Sequence, residues 1–465
     1  MMRKDDKLFG DIDWPLFITF LIMVCMGLAT IYSVAFTQEH PSLFDIEKQY
    51  GKQIIWISVS LFLGLIIFLI DSDIFRKYAF PIYLFTLFLL ILVLFMPPIN
   101  GARAWIGVAN LGIQPAEFAK ISSALLLARY ISELNIKQLT TSNVMFAILI
   151  LLGPMILILL QPDAGTFIVF TSFLFVMYRE GLTFDPIILK FINTYPRFKF
   201  KQTWVGTHFI PILFVIIFIS IVTLLLSNLS LKLWFSEKSI NGSMGVILFL
   251  AIISVIAILF IQQFGNKREK GRMMLIILLG FSLLGGLSFC VGKAFNSLAP
   301  HQRDRIELFL GLKEDPNGKD YNRNRAMSAV GSGGWAGKGY KNASVSSVES
   351  NHVPESETDF IFCPFAEEWG FLGVILLITL YVFMLIRIVF IAERQRSAFN
   401  RIYAYSVAMI LFYHFAINIG MNIGFAPVIG IPLPFFSYGG SSIMSFSVMM
   451  FILLKLDSQR KDVLR

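Results

Sequence analysis

Three acids on alternate positions, Glu355, Glu357 and Asp359, lie in the stretch "PESETDFIF" (354–362) and run directly into apolar sequence. A carboxylate partly stripped of water at such a boundary suits a general base or a divalent-cation ligand. It suits equally well the N-cap of the helix that follows, where the helix dipole favours negative charge. Asp359 stands nearest the apolar run and is the candidate catalytic residue. His301 and His352 precede it, but no pair in this region has metal-ligand spacing.

Further ionisable groups sit in apolar surroundings, where each costs roughly 2.5–3.5 kcal/mol at a span centre and therefore marks pairing or function. In "NGARAWIGVANLGIQPAEFAK" (100–120), Pro115 suits a first helical turn, and Glu117 and Lys120 are three apart on one face. They pair with each other, or Lys120 faces a cavity and meets a phosphate. Arg103 and Trp105 offer a cation and an aromatic face to an anionic, amphipathic ligand, although Trp is also common at a membrane interface without any function. In "QPDAGT" (161–166), Asp163 can cap a helix start or contribute charge to a site.

Two more segments have unusual backbone chemistry. "AVGSGGWAGKGY" (329–340) has glycines at 331, 333, 334, 337 and 339, with Lys338 among them. It reads as a tight turn or as backbone N–H groups brought close to a ligand, and its spacing is not that of a Walker loop. "IPLPFFSYGGSS" (431–442) interrupts a span with two prolines and two glycines around Ser437. Broken backbone at membrane depth persists only when buried in protein or lining a cavity.

The elements that must position these residues are membrane helices. The chain has 465 residues, 56% of them hydrophobic and 15% charged, with a mean hydropathy of +0.72. Several apolar runs exceed the ~18 residues of a bilayer span. The expected spans are 15–36, 54–70, 79–97, 116–132, 143–160, 164–178, 208–227, 243–263, 273–294, 359–386, 402–424 and 435–454, about twelve in all. Lys and Arg gather in every second loop ("RKDDK", "FRKY", "PRFKFK", "NKREKGR", "AERQRSAFNR", "KLDSQRK"). This positive-inside pattern places both termini in the cytoplasm. The net charge of +9 is accounted for by those loops, and no nucleic-acid-binding motif accompanies it. The three cysteines, Cys25, Cys290 and Cys363, lie in or beside apolar runs and form no disulfide framework. The first apolar run is long enough to span and lacks a cleavage site. An outer loop over 295–357 is long and polar, and amphipathic pieces such as "RDRIELFLGL" predict an ordered lid. An extra membrane hairpin is expected near 228–272.

Taken in order, "GARAW…QPAEFAK", "QPDAGT", "GSGGWAGKGY", "PESETDFIF…EEWGF" and "GIPLPFFSYGGSS" resemble the SEDS family (shape, elongation, division and sporulation). The "GIPLPF" form and the "HQRDRI…GLKEDP" loop look more like its rod-elongation branch than its division branch. The resemblance implies one all-α polytopic domain with a core of ten helices, here extended by the hairpin. It implies a peptidoglycan glycosyltransferase of the bacterial cytoplasmic membrane that polymerises lipid II. The family's essential carboxylate maps onto Asp359, as general base for the acceptor hydroxyl or as ligand of a divalent cation, Mg²⁺ or Mn²⁺. Arg103 and Lys120, and more distantly Arg303 and Arg305, would offset the charge of the pyrophosphate leaving group. Trp105, Glu117, Asp163, Lys338 and Ser437 complete the expected substrate-binding set. The implied partner is a class B penicillin-binding protein, a transpeptidase with one membrane helix, alongside other elongation-complex membrane proteins.

The sequence departs from the family at three places. Glu357 replaces a usual His, Arg325-Ala326 replaces a usual Gln-Ser pair, and Ala104 stands where a second basic residue is common. Glu357 is expected to raise the pKa of Asp359 by like-charge repulsion. Two other readings stay open: a lipid II flippase, which needs a polar path through the midplane, and an inactive scaffold for a transpeptidase.

Overall fold

The computed structural model describes residues 12–36, 42, 44–98, 103–107, 112–193, 201–227, 230–232, 239–264, 270–297, 303, 307, 321–346 and 353–460. The expectations for the two termini, for His301, Arg305 and His352, and for most of "RDRIELFLGL" fall outside these residues. The chain divides into two units, 1–202 with 321–465, and 203–320.

The first unit is a bundle of helices: Trp14–Val34, Gln49–Leu69, Ser72–Lys77, Ala79–Val93, Pro115–Glu133, Thr141–Leu160, Ala164–Phe170, Phe173–Arg179, Asp185–Ile192, Tyr321–Ser332, Phe362–Arg394, Ala398–Asn422 and Gly440–Ser458. Its burial pattern is the reverse of a water-soluble bundle. Large apolar side chains such as Ile18, Phe62, Phe85, Leu149 and Phe390 point outward, whereas Glu117, Lys120, Ser122, Gln161, His414, Asn418 and Ser445 are buried. Water would not tolerate so much exposed apolar surface, and lipid would not tolerate those polar groups outside, so the solvent of this surface is a bilayer. Among the described residues of both units, nine helices are long and apolar enough to cross it. The other three expected spans are also helical: Ala79–Val93 is shorter, the sixth is split into Ala164–Phe170 and Phe173–Arg179, and Pro115–Glu133 carries the Glu117–Lys120 charges. The chain is a multi-pass membrane protein.

Gly440–Ser458 is the central helix, buried on most of its surface. Small residues allow close approach around it: a Cβ on Gly440 would overlap the Trp56 ring, and one on Gly64 the Phe451 ring.

The second unit contains Trp204–Thr207, Phe209–Ser227, Gly242–Phe264 and Lys270–Ser297, with a small antiparallel ribbon pairing Ser230–Lys232 with Ser239–Asn241. Its three long helices pack on one another, and Thr223 Oγ1 meets Ser288 Oγ at 3.0 Å between two of them. Near 228–272, where the extra membrane hairpin is expected, the described residues hold the ribbon, the Gly242–Phe264 helix and the first residues of Lys270–Ser297.

The glycine-rich segment explains a break in the longest helix. Gly370, with φ +63°, leaves the helical path inside Phe362–Arg394. In an unbroken helix Phe371 N and Leu372 N would bond Glu367 O and Glu368 O. Instead they donate to Gly334 O (2.9 Å) and Trp335 O (3.2 Å), while Lys338 N and Gly339 N donate to Glu367 O and Glu368 O, each at 3.0 Å. The loop thus inserts into the helix and replaces the missing bonds on both sides, which satisfies the backbone without water. Gly337 makes this possible: its φ is +79°, and a Cβ there would lie 2.1 Å from Glu368 O. The expectation of a ligand cradle is corrected accordingly, because these backbone N–H groups are occupied by the helix break.

Gly337→Ala is expected to lower stability by more than the roughly 1–3 kcal/mol of a strained backbone alone, since the loop must also withdraw. Gly331→Ala, with open space around its Cβ, should be neutral. Thermal unfolding of the two detergent-solubilised variants checks this, and equal midpoints would remove the insertion from the fold's essential contacts.

Candidate active site

Asp359 lies in a turn, and the helix begins only at Phe362, so the expected span start at 359 is early by three residues. The turn is closed by Thr358 N and Phe360 N donating to Glu355 O, at 3.1 and 3.2 Å. Glu355 adopts a left-handed φ of +56°, a strain of the order of 1 kcal/mol or more that non-glycine residues carry mainly at functional sites.

The backbone of Asp359 is anchored from two sides. Asn418 Nδ2, on the Ala398–Asn422 helix, donates to Asp359 O at 2.9 Å and to Ile431 O at 2.6 Å. Ser437 Oγ donates to Thr358 O at 2.7 Å while accepting from Leu433 N at 2.8 Å, and Tyr438 N donates to Glu357 O at 2.9 Å. The broken span 431–442 therefore works as a clamp. Ser437 is buried with both hydrogen-bonding capacities used, which makes it a positioning residue rather than a substrate contact.

Around the carboxyl itself the neighbours are acidic or apolar. Gly430, with φ +81°, leaves room for Asp359 Oδ2, which a Cβ would approach to 3.2 Å. Asp163 caps Ala164–Phe170 through Thr166 N (2.9 Å) and accepts from Gln114 Nε2 at 3.0 Å. The segment Ile429–Ile431 lies between it and Asp359, since a Cβ on Gly165 would touch Ile429, Ile431 and Asp163. Burial, then the adjacent Glu355 carboxyl and more distantly Asp163, pushes the Asp359 carboxyl up to about 7. Among the described residues no ammonium or guanidinium pairs with it. Glu357 is not the cause, contrary to the sequence expectation. It points to the other side, toward Lys48 and Tyr438, and burial raises its own carboxyl to about 7. In an extended segment residues 355, 357 and 359 would share one face, but the turn closed on Glu355 O folds residue 355 back to Asp359 and leaves Glu357 with other neighbours.

The remaining candidates divide into those near this mouth and those elsewhere. Arg103 is exposed and donates to Leu94 O at 3.2 Å. Trp105 lies over Gly112 beside the Ile106–Ile113 bridge, and the next residue but one, Gln114, reaches Asp163. Arg303 belongs to the second unit, where it pairs with Glu307 at 2.9 Å and stacks over Phe295. Lys338 is corrected to a structural role: its Nζ holds Glu367 at 2.6 Å and Ser344 at 2.8 Å. Glu367 also accepts from the backbone N–H groups of Ser344, Val345 and Ser346, so this carboxylate ties down the outer loop.

Lys120 is likewise corrected. It is fully buried and reaches Glu117 Oε1 and Oε2 at 3.0 Å and His414 Nε2 at 2.8 Å. A lysine ammonium only donates, so Nε2 accepts and the His414 proton is on Nδ1, donating to Pro432 O at 3.2 Å. All three ammonium protons are used, and a phosphate would have to displace one of these partners. Sequence reading missed His414, Asn418 and Asn422. Their spacing of four on an apolar helix was the available signal, because polar groups in lipid are costly unless they face the bundle interior. Gly430 carried no such signal.

For a divalent cation, Asp359 and Glu355 present two adjoining carboxyls. That donor set fits Mg²⁺ or Mn²⁺ held largely by water and substrate phosphate oxygens. A closed site of three or more metal-binding side chains is absent among the described residues.

The family model described as the cell cycle protein family FtsW/RodA/SpoVE matches residues 13–195 and 208–462. The chain belongs to that family. As a SEDS protein it is 30% identical over 470 residues to the peptidoglycan glycosyltransferase RodA of Treponema pallidum, covering 97% of this chain and 98% of that one. It is 27% identical over 418 residues to the peptidoglycan glycosyltransferase MrdB of Escherichia coli K12, covering 90% and 86%. Its fold matches the rod-shape-determining protein RodA of Thermus thermophilus with a TM-score of 0.54 at 21% identity, over 97% and 98% of the two chains. It also matches a chain from a peptidoglycan synthase complex that coordinates polymerization and crosslinking, with a TM-score of 0.62 at 22% identity over 97% and 99%. The departure Arg325-Ala326 in this SEDS chain has a partial structural reason: Ala326 is buried in a small cluster with Ala329, Val353, Phe360 and Cys363 directly beneath the Asp359 turn.

Lys120→Met, which strands a buried Glu117, is expected to cost about 3–5 kcal/mol, and adding Glu117→Gln should restore a large part of it. Unfolding of the single and double variants in detergent checks this. A double variant as unstable as the single one would argue that the lysine is held for something other than the pair.

Proposed function

We propose that this chain is a peptidoglycan glycosyltransferase that polymerises lipid II, with Asp359 as its general base. The observation that carries the reading is a half-buried carboxyl at a membrane mouth, its backbone fixed by Asn418, with no Lys or Arg partner among the described residues. The carboxylates Asp13, Glu117, Glu180, Glu367 and Asp457, by contrast, are each paired with Lys or Arg, while Glu368 is held by Ser33 Oγ and Lys341 N. A base must be able to take a proton at working pH, and a carboxyl tuned to about 7 is far better at that than one near 4.

In the proposed step the acceptor sugar hydroxyl oxygen attacks the anomeric carbon of the donor in a single displacement. The bond from that carbon to the pyrophosphate oxygen breaks, undecaprenyl pyrophosphate leaves, and the hydroxyl proton passes to Asp359. The product linkage is inverted relative to the donor. Arg103 and Trp105 offer an exposed cation and an aromatic face for the pyrophosphate and its lipid. Asn418, Ser437 and Gly430 hold the carboxyl in place. A divalent cation, held by Asp359 and Glu355, would neutralise pyrophosphate charge when bound. The basic loops support cytoplasmic termini and a site at the outer face of the cytoplasmic membrane. The likeness to a synthase complex that couples polymerization to crosslinking supports a class B penicillin-binding protein as partner. The flippase reading loses support because the buried charges Lys120 and Glu117 satisfy each other within the bundle.

Purified with its cognate transpeptidase and supplied with labelled lipid II and Mg²⁺ or Mn²⁺, the wild-type chain is expected to yield glycan polymer on a gel, and Asp359→Ala none. Equal polymer from both would take Asp359 out of the mechanism. No polymer from either, beside an active family member, would turn the reading toward the scaffold.

The polymerisation rate is also expected to rise with pH through about 7 and level off above it. The folded protein keeps Asp359 protonated below that point, and only the ionised form accepts a proton. A rate that is flat from pH 6 to 8, or that falls, would contradict the base.

A further inference from the structure

The end of the bundle away from Asp359 carries a second charged cluster that the proposed reaction does not use. The Phe362–Arg394 helix starts three residues after Asp359 and runs for 33 residues, roughly 50 Å at 1.5 Å per residue. Arg387 and Arg394 near its far end therefore lie toward the opposite membrane face. Two turns apart on one side of the helix, both reach Asp13, with Nη2 at 2.9 and 2.8 Å from Oδ2. Arg394 Nε also donates to Asp457 Oδ1 at 2.9 Å, and Arg460 Nη1 lies 3.0 Å from Asp457 Oδ2. Three guanidiniums thus meet two carboxylates. The carboxylate side chains are 1% exposed or less, while the arginines remain 23–32% exposed. Negative charge faces inward and the surplus positive charge faces outward.

These three arginines, with Asp13, Ile12, Trp14 and Pro15, line a cavity of about 220 Å³. Apolar surface continues from it along both flanking helices. Trp14, Ile18 and Ile22, at a spacing of four, are 49%, 50% and 42% exposed, and Phe383, Ile386 and Phe390 surround Arg387 on its own helix at 46%, 49% and 61%. A planar guanidinium fork matches phosphate oxygens, and a Trp at the rim suits the headgroup level.

We propose that this pocket binds the phosphate-bearing headgroup of an anionic membrane lipid, whose acyl chains lie along the exposed faces of the Trp14–Val34 and Phe362–Arg394 helices. The continuity of pocket and lipid-facing surface favours a lipid over a free anion. A bound headgroup joins the start of the first helix, the end of the Phe362–Arg394 helix and the end of the Gly440–Ser458 helix, and so braces the face opposite the catalytic mouth.

The test follows thermal unfolding of the full chain in neutral detergent with added dioctanoyl-phosphatidylglycerol, dioctanoyl-phosphatidylcholine or inorganic phosphate. Phosphatidylglycerol is expected to raise the midpoint in a saturable way, and the other two are not. Arg460→Gln, at the rim, should weaken the apparent affinity about fivefold, the worth of one basic contact near a surface. Asp13→Asn keeps a good helix cap and removes a competing charge, so it should tighten binding. An equal response to phosphatidylcholine, a response to inorganic phosphate matching that to the lipid, or an unchanged phosphatidylglycerol affinity in Arg460→Gln would each overturn the proposal.

Discussion

In lipid no water is at hand to satisfy a polar group, and the rest of this structure depends on that constraint. Each backbone break and each buried charge must find its partners within the chain. The break at Gly370 is answered by a loop that supplies two donors and two acceptors from the glycine-rich segment. The break over 431–438 is answered by His414, Asn418 and Ser437, which take up Pro432 O, Ile431 O and Leu433 N. Because these answers come from distant parts of the chain, they also weld the bundle together. Hydrogen bonds of this kind join the glycine-rich segment to the Phe362–Arg394 helix and the 431–438 break to the Ala398–Asn422 helix, where lipid makes apolar burial a weak driving force.

The same constraint sets Asp359 apart. A buried carboxylate is stable beside a lysine or arginine, and five in the bundle follow this rule. Glu117 has Lys120, Glu180 has Arg401, Glu367 has Lys338, and Asp13 and Asp457 share three arginines. Asp359 has instead Glu355 beside it and Asp163 behind the Ile429–Ile431 segment. Proteins tolerate such a place where the raised pKa is useful. Its backbone is over-determined by three elements while its carboxyl is left without a counter-charge. This is the combination a base needs: fixed in position and free to change protonation.

Polar residues therefore fall into two groups that look alike in a list. Lys120, Lys338 and Ser437 resemble ligand contacts because they are polar, in glycine-rich or apolar surroundings, and close in sequence to the site. Lys120 and Ser437 have spent their hydrogen bonds inside the protein, and Lys338 holds Glu367 and Ser344, so all three act first on the protein's own groups. Asn418 and His414 play the same part from a helix whose sequence carries no motif.

How much was legible in the sequence follows from the range of each interaction. Apolar runs of span length, the helix start at Pro115, the cap at Asp163 and the Glu117–Lys120 pair are local, and periodicity and spacing determined them. Asp359 as a carboxylate at a span mouth was equally local. Which acid acts on it was not: Glu357 is nearer in sequence, yet the turn brings Glu355 to the carboxyl and sends Glu357 toward Lys48. The ribbon within 228–272, the occupied glycine loop, and the third partner of Lys120 on a helix almost three hundred residues away were likewise decided only in the folded chain. A polar group in lipid announces that it needs a partner, but the partner's identity depends on which helices become neighbours, and no local pattern contains that.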